Sequence, residues 1–77
     1  MNFPVIDPVA TGTNIKKMLK DKGLSVVKVK ELLGISDKSN LYKWFRGEAL
    51  PTIDNLLALS MLLGVTVNDL IVTEKAA

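Results

Sequence analysis

Four glycines divide the 77-residue chain into short segments, and this division limits what the chain can fold into. Each glycine follows a stretch whose apolar residues recur at helical spacing, and glycine is the residue that most often ends a helix. The four are Gly23, Gly34, Gly47 and Gly64. Strand-like alternating runs bounded by hairpin turns are absent from the sequence. The pattern therefore predicts an all-α fold of five short helices around one core.

The starts of the helices are predicted from capping residues. Asp7 and Pro8 favour a first helix that begins at Pro8, because Asp caps well and Pro is tolerated at the first helical position. Gly12 weakens the middle of that helix by about 1 kcal/mol, so a start nearer Thr13 is an alternative. Ser25 is the predicted cap of the second helix. The other predicted starts are Lys38, capped by Asp37 or Ser36, for the third helix, Pro51-Thr52 for the fourth, and Thr66, with Asp69 in a capping box, for the fifth.

The apolar positions predict which side of each segment faces the core. In the second helix Val29, Leu32 and Leu33 are expected to point inward. The apolar opening segment is expected to tuck Phe3 and Ile6 against the rest of the chain. In the fourth helix the inward residues are expected to be Ile53, Leu56, Leu57, Leu59, Ser60 and Leu63.

The chain is expected to form one small domain. Residues 1–12 are interpreted as an N-terminal arm and the start of the first helix. Residues 13–72 are interpreted as the helical domain, and residues 73–77 as a C-terminal tail.

Composition excludes several classes of function. The chain has no cysteine and no histidine, so a disulfide framework, a Cys/His zinc site and histidine-based acid–base catalysis are ruled out. A glycine-rich phosphate loop is also missing, so neither an enzyme nor a bound cofactor or metal is expected. No apolar run approaches the roughly 18 residues of a membrane span, and the start does not resemble a signal peptide. A cytoplasmic protein without a membrane partner is the expectation.

Charge is distributed unevenly along the chain. Residues 1–47 carry nine Lys and Arg against four Asp and Glu, whereas residues 48–77 carry one against four. One part of the protein is therefore basic and could steer toward a polyanion, although ordinary solvated lysines would give the same count.

The third predicted helix combines an apolar stripe with a surface of hydrogen-bond donors. Leu41, Trp44 and Phe45 recur at i, i+3 and i+4 and form the predicted core face. The donors on the other surface are Lys38, Ser39, Tyr42, Lys43 and Arg46, and no carboxylate is expected among them. This surface could be the solvated face of a structural helix or could bind a partner.

Longer stretches of the sequence resemble a known family. "IKKMLKDKGLSVVKVKELLGIS" followed by "LYKWFRGEALPTIDNLLALSMLLGVTVNDLI" resembles the Cro/repressor-type helix-turn-helix family of bacterial and phage regulators over residues 13–72. The specific parts are Gly-Leu-Ser, Leu-Gly-Ile-Ser, Trp-x-Arg-Gly with Pro four residues later, and Leu-Leu-Gly-Val. The resemblance implies that the second and third helices form a helix-turn-helix. It also implies a sequence-specific transcriptional regulator that inserts the third helix into the major groove of double-stranded DNA.

The resemblance implies a role for individual residues. The base-edge positions are Lys38, Ser39, Asn40 and Lys43. The residues expected to contact the DNA backbone are Ser25, Tyr42 and Arg46. The core of the helix-turn-helix is expected to comprise Leu19, Val29, Leu33, Ile35, Leu41, Trp44 and Phe45.

The sequence departs from the family in three places. Val26 stands where the family usually has a polar residue that contacts phosphate, and its side chain could join the core or a protein contact. The segment from Gly34 to Leu41 is one residue longer than usual, which shifts the register of residues 37–40 by up to one position. Leu19 and Phe45 replace a buried ion pair, an exchange that is often neutral or stabilising.

Partners other than DNA are also compatible with the sequence. A palindromic operator would require a homodimer, formed through the fifth helix with Val67 and Val72 or only on binding DNA. The alternative function is a helical protein-interaction module, such as an antitoxin-like or phage-encoded domain. It is suggested by apolar residues that are expected to be exposed: Val26, Val27, Met61 and Leu62.

Overall fold

Five helices follow one another in the computed structural model, which describes residues 3–74. They are α1 (Pro8–Asp21), α2 (Val26–Leu33), α3 (Ser39–Arg46), α4 (Ile53–Leu63) and α5 (Val67–Leu70). The all-α prediction is confirmed, and none of these helices is long and apolar enough to cross a membrane. The outermost residues of the predicted arm and tail, 1–2 and 75–77, lie outside the described residues.

Most helices begin where the sequence predicts, because the predicted capping residues cap them. The Asp7 carboxylate accepts a hydrogen bond from the Ala10 amide at 3.0 Å, so α1 begins at Pro8 rather than near Thr13. The hydroxyls of Ser25 and Thr52 cap α2 and α4 in the same way. The predicted capping box of α5 is also present, since the Thr66 and Asp69 side chains each accept the other residue's amide hydrogen bond.

Gly12 lies inside α1 because α1 and α3 approach each other there. A methyl group at Gly12 would overlap the backbone carbonyl oxygen of Trp44 in α3. Of the helix pairs described, α1 and α3 make the most extensive contact. The glycine that weakens α1 locally therefore permits its main packing interaction.

One apolar core joins all five helices. Its buried residues are Ile15, Leu19, Val29, Leu41, Trp44, Leu59, Leu63 and Leu70. Half-buried residues pack around them and include Val26, Leu33, Ile35, Phe45 and Leu62. Val26 thus packs against the core, which is one of the two expectations for this position. The prediction that Val26 and Leu62 are exposed apolar residues is wrong, whereas Val27 and Met61 are exposed.

The arm and the tail pair with each other, which the sequence did not predict. Ile6 and Thr73 form an antiparallel bridge, flanked by hydrogen bonds from the Asp7 amide to the Val72 carbonyl and from the Glu74 amide to the Val5 carbonyl. The buried Thr11 hydroxyl also donates to the Val72 carbonyl and accepts from the Val72 amide. The two ends of the described chain are therefore fastened to α1.

Five residues that were expected to point inward are exposed: Phe3, Ile6, Leu32, Ile53 and Leu57. Phe3 lies before the paired segment and is 78% exposed, and Ile6, within that segment, is 37% exposed. In α4 the buried side is the narrow row of Leu59, Ser60 and Leu63. Apolar residues surround most of this helix, so the sequence pattern could not single out its core side.

Candidate nucleic-acid interface

The turn between α2 and α3 is built from residues 34–38. Gly34 ends α2 in the left-handed region, with φ of 67°. The Gly34 amide donates to the Glu31 carbonyl, and the Ile35 amide donates to the Lys30 carbonyl at 3.0 Å. Because Ile35 packs against the core, the chain turns sharply and directs the residues after it outward.

An aspartate caps the N-terminus of α3. The Asp37 carboxylate accepts the Ser39 amide at 2.9 Å, whereas Lys38 makes no capping bond with its side chain. The helix therefore begins at Ser39, one residue later than predicted. Hydrogen bonds from the backbone and hydroxyl of Ser39, helped by the charges of Lys43 and Lys30, hold the pKa of Asp37 below its usual value.

The residues that lead into α3 and the first two residues of the helix are exposed. Residues 36–40 are all exposed, which includes the predicted base-edge residues Lys38, Ser39 and Asn40. The fourth predicted base-edge residue, Lys43, is exposed as well. Since Ser39, Lys43 and Arg46 are four and three residues apart, they form a row along the outer side of the helix.

The buried side of α3 holds that row in place. Leu41 and Trp44 are buried in the core, and Phe45 packs against it. Phe45 also contacts the ring of Tyr42 edge-on, with ring centroids 6.2 Å apart and an interplanar angle of 87°. This aromatic contact, which the sequence analysis did not identify, supports Tyr42 at the exposed edge of the helix.

Carboxylates lie next to the row of donors, contrary to the prediction. The Glu48 carboxylate accepts from Arg46 Nε at 2.8 Å and lies 2.6 Å from Arg46 Nη2. Gly47 adopts a φ of 75°, and the Glu48 amide then donates to the Lys43 carbonyl, which turns the chain back so that Glu48 reaches Arg46. Glu48 and Asp37 therefore lie at opposite ends of α3, close to its cationic side chains.

Ser25 lies at the start of α2. Its hydroxyl accepts the Lys28 amide at 3.1 Å, and the residue is exposed. The side chain of Ser25 is therefore occupied as a cap.

A shallow groove lies beside α3, at the start of α4. Asn40 and Trp44 line one part of it, and Leu50, Thr52 and Asn55 line another. The sequence does not indicate that Thr52 and Asn55 lie near Asn40, because this proximity depends on how the chain returns after α3. Within residues 3–74, no three Asp or Glu side chains come together in a way that could hold a metal ion.

Comparison with known proteins connects this architecture to a family. A family model described as Helix-turn-helix matches residues 15–70. None of the curated protein sequences matches the chain.

Solved structures resemble the chain over most of its length. The restriction-modification controller protein C.AhdI from Aeromonas hydrophila is 28% identical with a TM-score of 0.74, over 83% of this chain and 96% of that one. SinR, a master regulator for biofilm formation solved in complex with DNA, is 34% identical with a TM-score of 0.69, over 78% of this chain and 95% of that one. A chain from the complex of SinR with SinI matches with the same identity and TM-score, over 78% of this chain and 58% of that one. The chain belongs to the helix-turn-helix family, as its resemblance to Cro/repressor-type regulators predicted.

Proposed function

We propose that this DNA-binding regulator of the helix-turn-helix family recognises its operator by placing α3 in the major groove of the double helix. The observation that carries the proposal is the exposure of residues 36–40, followed by exposed Lys43 and Arg46 on a helix whose other side is fixed in the core. An α-helix fits the major groove, where each base pair presents a distinct pattern of donors and acceptors.

The side chains of α3 suit this role chemically. Lys38 and Lys43 can donate to O6 and N7 of guanine, and Asn40 can pair with N6 and N7 of adenine. Ser39, between them, can donate to or accept from either kind of base. Tyr42 carries a phenolic hydroxyl that can bond a phosphate oxygen.

Contacts with the DNA backbone would position the helix. Arg46 is proposed to bind a phosphate oxygen, which requires its guanidinium to exchange Glu48 for phosphate. Both side chains of that ion pair are more than half exposed, so the exchange is inexpensive. Ser25 is proposed to contribute through the start of α2, where amide groups and the helix dipole favour an anion.

The experiment is a titration of the protein into random-sequence duplex DNA at two salt concentrations. Lys43→Ala and Arg46→Ala are each expected to weaken binding. In a plot of the logarithm of affinity against the logarithm of salt concentration, each variant is also expected to give a slope about one unit shallower than the wild type. Lys22→Ala removes an exposed charge just after α1 and serves as the matched control.

Equal losses in all three variants would show that only net charge matters, and this would contradict the proposed role of α3. Unchanged affinity in Lys43→Ala and Arg46→Ala would also contradict it. Circular dichroism of each variant verifies that the helices remain folded.

Two further features belong to the same proposal. The regulator acts as a homodimer on a palindromic operator, because one small surface of this kind would bind weakly. It works in the cytoplasm, where a bacterial or phage operator is found.

The second candidate function is binding to another protein. It is supported by the exposed apolar residues Val27 and Met61 and by the likeness to SinR, which is also known in a complex with the protein SinI. Retained affinity for random DNA in the Lys43 and Arg46 variants, or no binding at low salt, would favour this function.

A further inference from the structure

Asp37 places an exposed carboxylate at the start of the helix that is proposed to enter the major groove. It precedes Ser39, the first residue of α3, within the exposed stretch of residues 36–40. The charge of Lys43, on the outer row of α3, acts on this carboxylate and helps to lower its pKa. A carboxylate and an ammonium group thus lie near each other on the surface proposed to meet DNA.

Capping explains the position of Asp37 but leaves much of its hydrogen-bonding capacity unused. One carboxylate oxygen, Oδ1, accepts the Ser39 amide at 2.9 Å. An ionised carboxylate offers about four acceptor positions, and the donors of Ser39 use only part of them. Among residues 3–74 Asp37 has no ion-pair partner. Its second oxygen can therefore accept from a donor outside the chain.

The charge of Asp37 is not required for the cap. Asparagine caps a helix about as well as aspartate and carries no charge. On a surface that meets a polyanion, a carboxylate lowers affinity unless it finds a donor. The charge is therefore useful to DNA binding only if one of the bases supplies that donor.

The major groove offers a carboxylate few suitable partners. Guanine presents only acceptors there, and thymine presents an acceptor and a methyl group. Adenine presents its amino group beside the acceptor N7, which repels a carboxylate. Cytosine presents the amino group at N4, a donor without a neighbouring acceptor on the same base. A side chain that only accepts hydrogen bonds therefore fits cytosine best.

We infer that Asp37 is a specificity-determining residue, whose carboxylate accepts a hydrogen bond from N4 of one cytosine in the operator. The guanine paired with that cytosine presents O6 and N7, to which the ammonium group of Lys43 can donate. The two charges together would distinguish a C·G pair from the same pair reversed. The inference rests on the proposed function, since it requires α3 in the major groove.

The same carboxylate also disfavours other sequences. Where the cytosine is replaced, Asp37 faces an acceptor or a methyl group and loses water without gaining a bond. Specificity then comes from a penalty on the wrong base as well as from the bond to the right one.

Selection of binding sites from a pool of random duplexes, with the full chain and with Asp37→Asn, tests the inference. The sites selected by the wild type are expected to share a cytosine at one position, where Asp37→Asn no longer selects cytosine. The carbonyl oxygen of the new asparagine is expected to cap α3, which leaves its NH2 group facing the donor at N4. The preferences at the other positions are expected to stay the same.

The matched control is Asp21→Asn. It makes the same substitution at an exposed aspartate, the last residue of α1, and changes the net charge equally. It is expected to select the same sequence as the wild type.

The donor itself is tested with N4-methylcytosine at the selected position. This base still pairs with guanine, but it directs a methyl group instead of an N–H into the major groove. The affinity of the wild type is expected to fall about tenfold or more. The affinity of Asp37→Asn is expected to fall much less, because this variant makes no bond to N4.

Three results would overturn the inference and leave the proposed function standing. If Asp37→Asn selects the wild-type sequence with uniformly higher affinity, the carboxylate only repels the DNA backbone. If Asp21→Asn loses the same cytosine, the effect belongs to net charge. If N4-methylcytosine weakens both proteins equally, Asp37 does not accept that bond.

A failure of the proposed function would look different. The wild type would then enrich no sequence from the pool, and this result would overturn the role of α3 and the inference together. Circular dichroism of each variant confirms that it is folded.

Discussion

Arg46 shows how one neighbouring residue changes the properties of a side chain proposed to bind DNA. Its guanidinium is bonded to the carboxylate of Glu48, and both groups are exposed. A DNA phosphate would compete with that carboxylate for the same donors. Such surface ion pairs contribute little stability, so Glu48 is expected to reduce affinity for DNA without preventing binding.

Replacing Glu48 should therefore strengthen binding. Glu48→Gln is expected to raise affinity for duplex DNA at low salt by about three- to fivefold, because it frees Arg46 and removes a negative charge near the phosphates. The control is Glu74→Gln, which changes the net charge equally at the other end of the chain. Fluorescence anisotropy with labelled duplex would measure both, and equal gains in the two variants would show that Glu48 has no specific role.

The sequence predicted the row of Ser39, Lys43 and Arg46 because helical spacing alone places them together. It did not predict the pairing of Arg46 with Glu48. That contact depends on the left-handed conformation of Gly47, which turns the chain back after α3. Side chains within one helix could thus be placed from the sequence, whereas a contact across a turn could not.

Among the helices, the contact of α1 with α3 depends on Gly12. Helix propensity alone would favour alanine at this position by about 1 kcal/mol. Packing has the opposite effect, because a methyl group would meet the carbonyl oxygen of Trp44. The atoms that the methyl group would meet belong to the backbone of α3, so no flexible side chain can move aside. The cost of this overlap therefore exceeds the gain in helix propensity.

Gly12→Ala is therefore expected to lower the free energy of unfolding by about 2 kcal/mol or more, despite its better helix propensity. Thr13→Ala is the control, because Thr13 is exposed in the same helix, and it is expected to be neutral or slightly stabilising. Urea denaturation followed by circular dichroism measures both. A Gly12→Ala variant as stable as the wild type would contradict the close approach of α1 and α3.

The helices themselves were largely predictable, and the orientation of α4 was not. Caps such as Ser25 and Thr52 and the glycines that follow each helix act locally, so the sequence predicts the elements they bound. In α4 apolar residues occupy most positions, and the expected core side wrongly included Ile53 and Leu57. The core side of such a helix is decided by the helices that pack against it, α2 and α5, and not by its own pattern.

Across the whole molecule, the proposed DNA-binding surface and the outer side of α4 have different chemistry. Donors and cations lie on and around α3, whereas the outer side of α4 is apolar and close to uncharged. The pairing of Ile6 with Thr73 fastens the two ends of the described chain together. That pairing was not predicted, because two short extended segments far apart in sequence carry no pattern that specifies their register.

The most direct test of the central claim is the map of backbone amide chemical shifts on addition of duplex DNA. The largest changes are expected in residues 36–46 and at the start of α2, because the exposed turn and the outer row of α3 are proposed to enter the groove. In Lys43→Ala the shift changes are expected in the same residues as in the wild type, but more DNA is expected to be needed to produce them. Changes centred on α4 and α5, with residues 36–46 unaffected, would contradict the account.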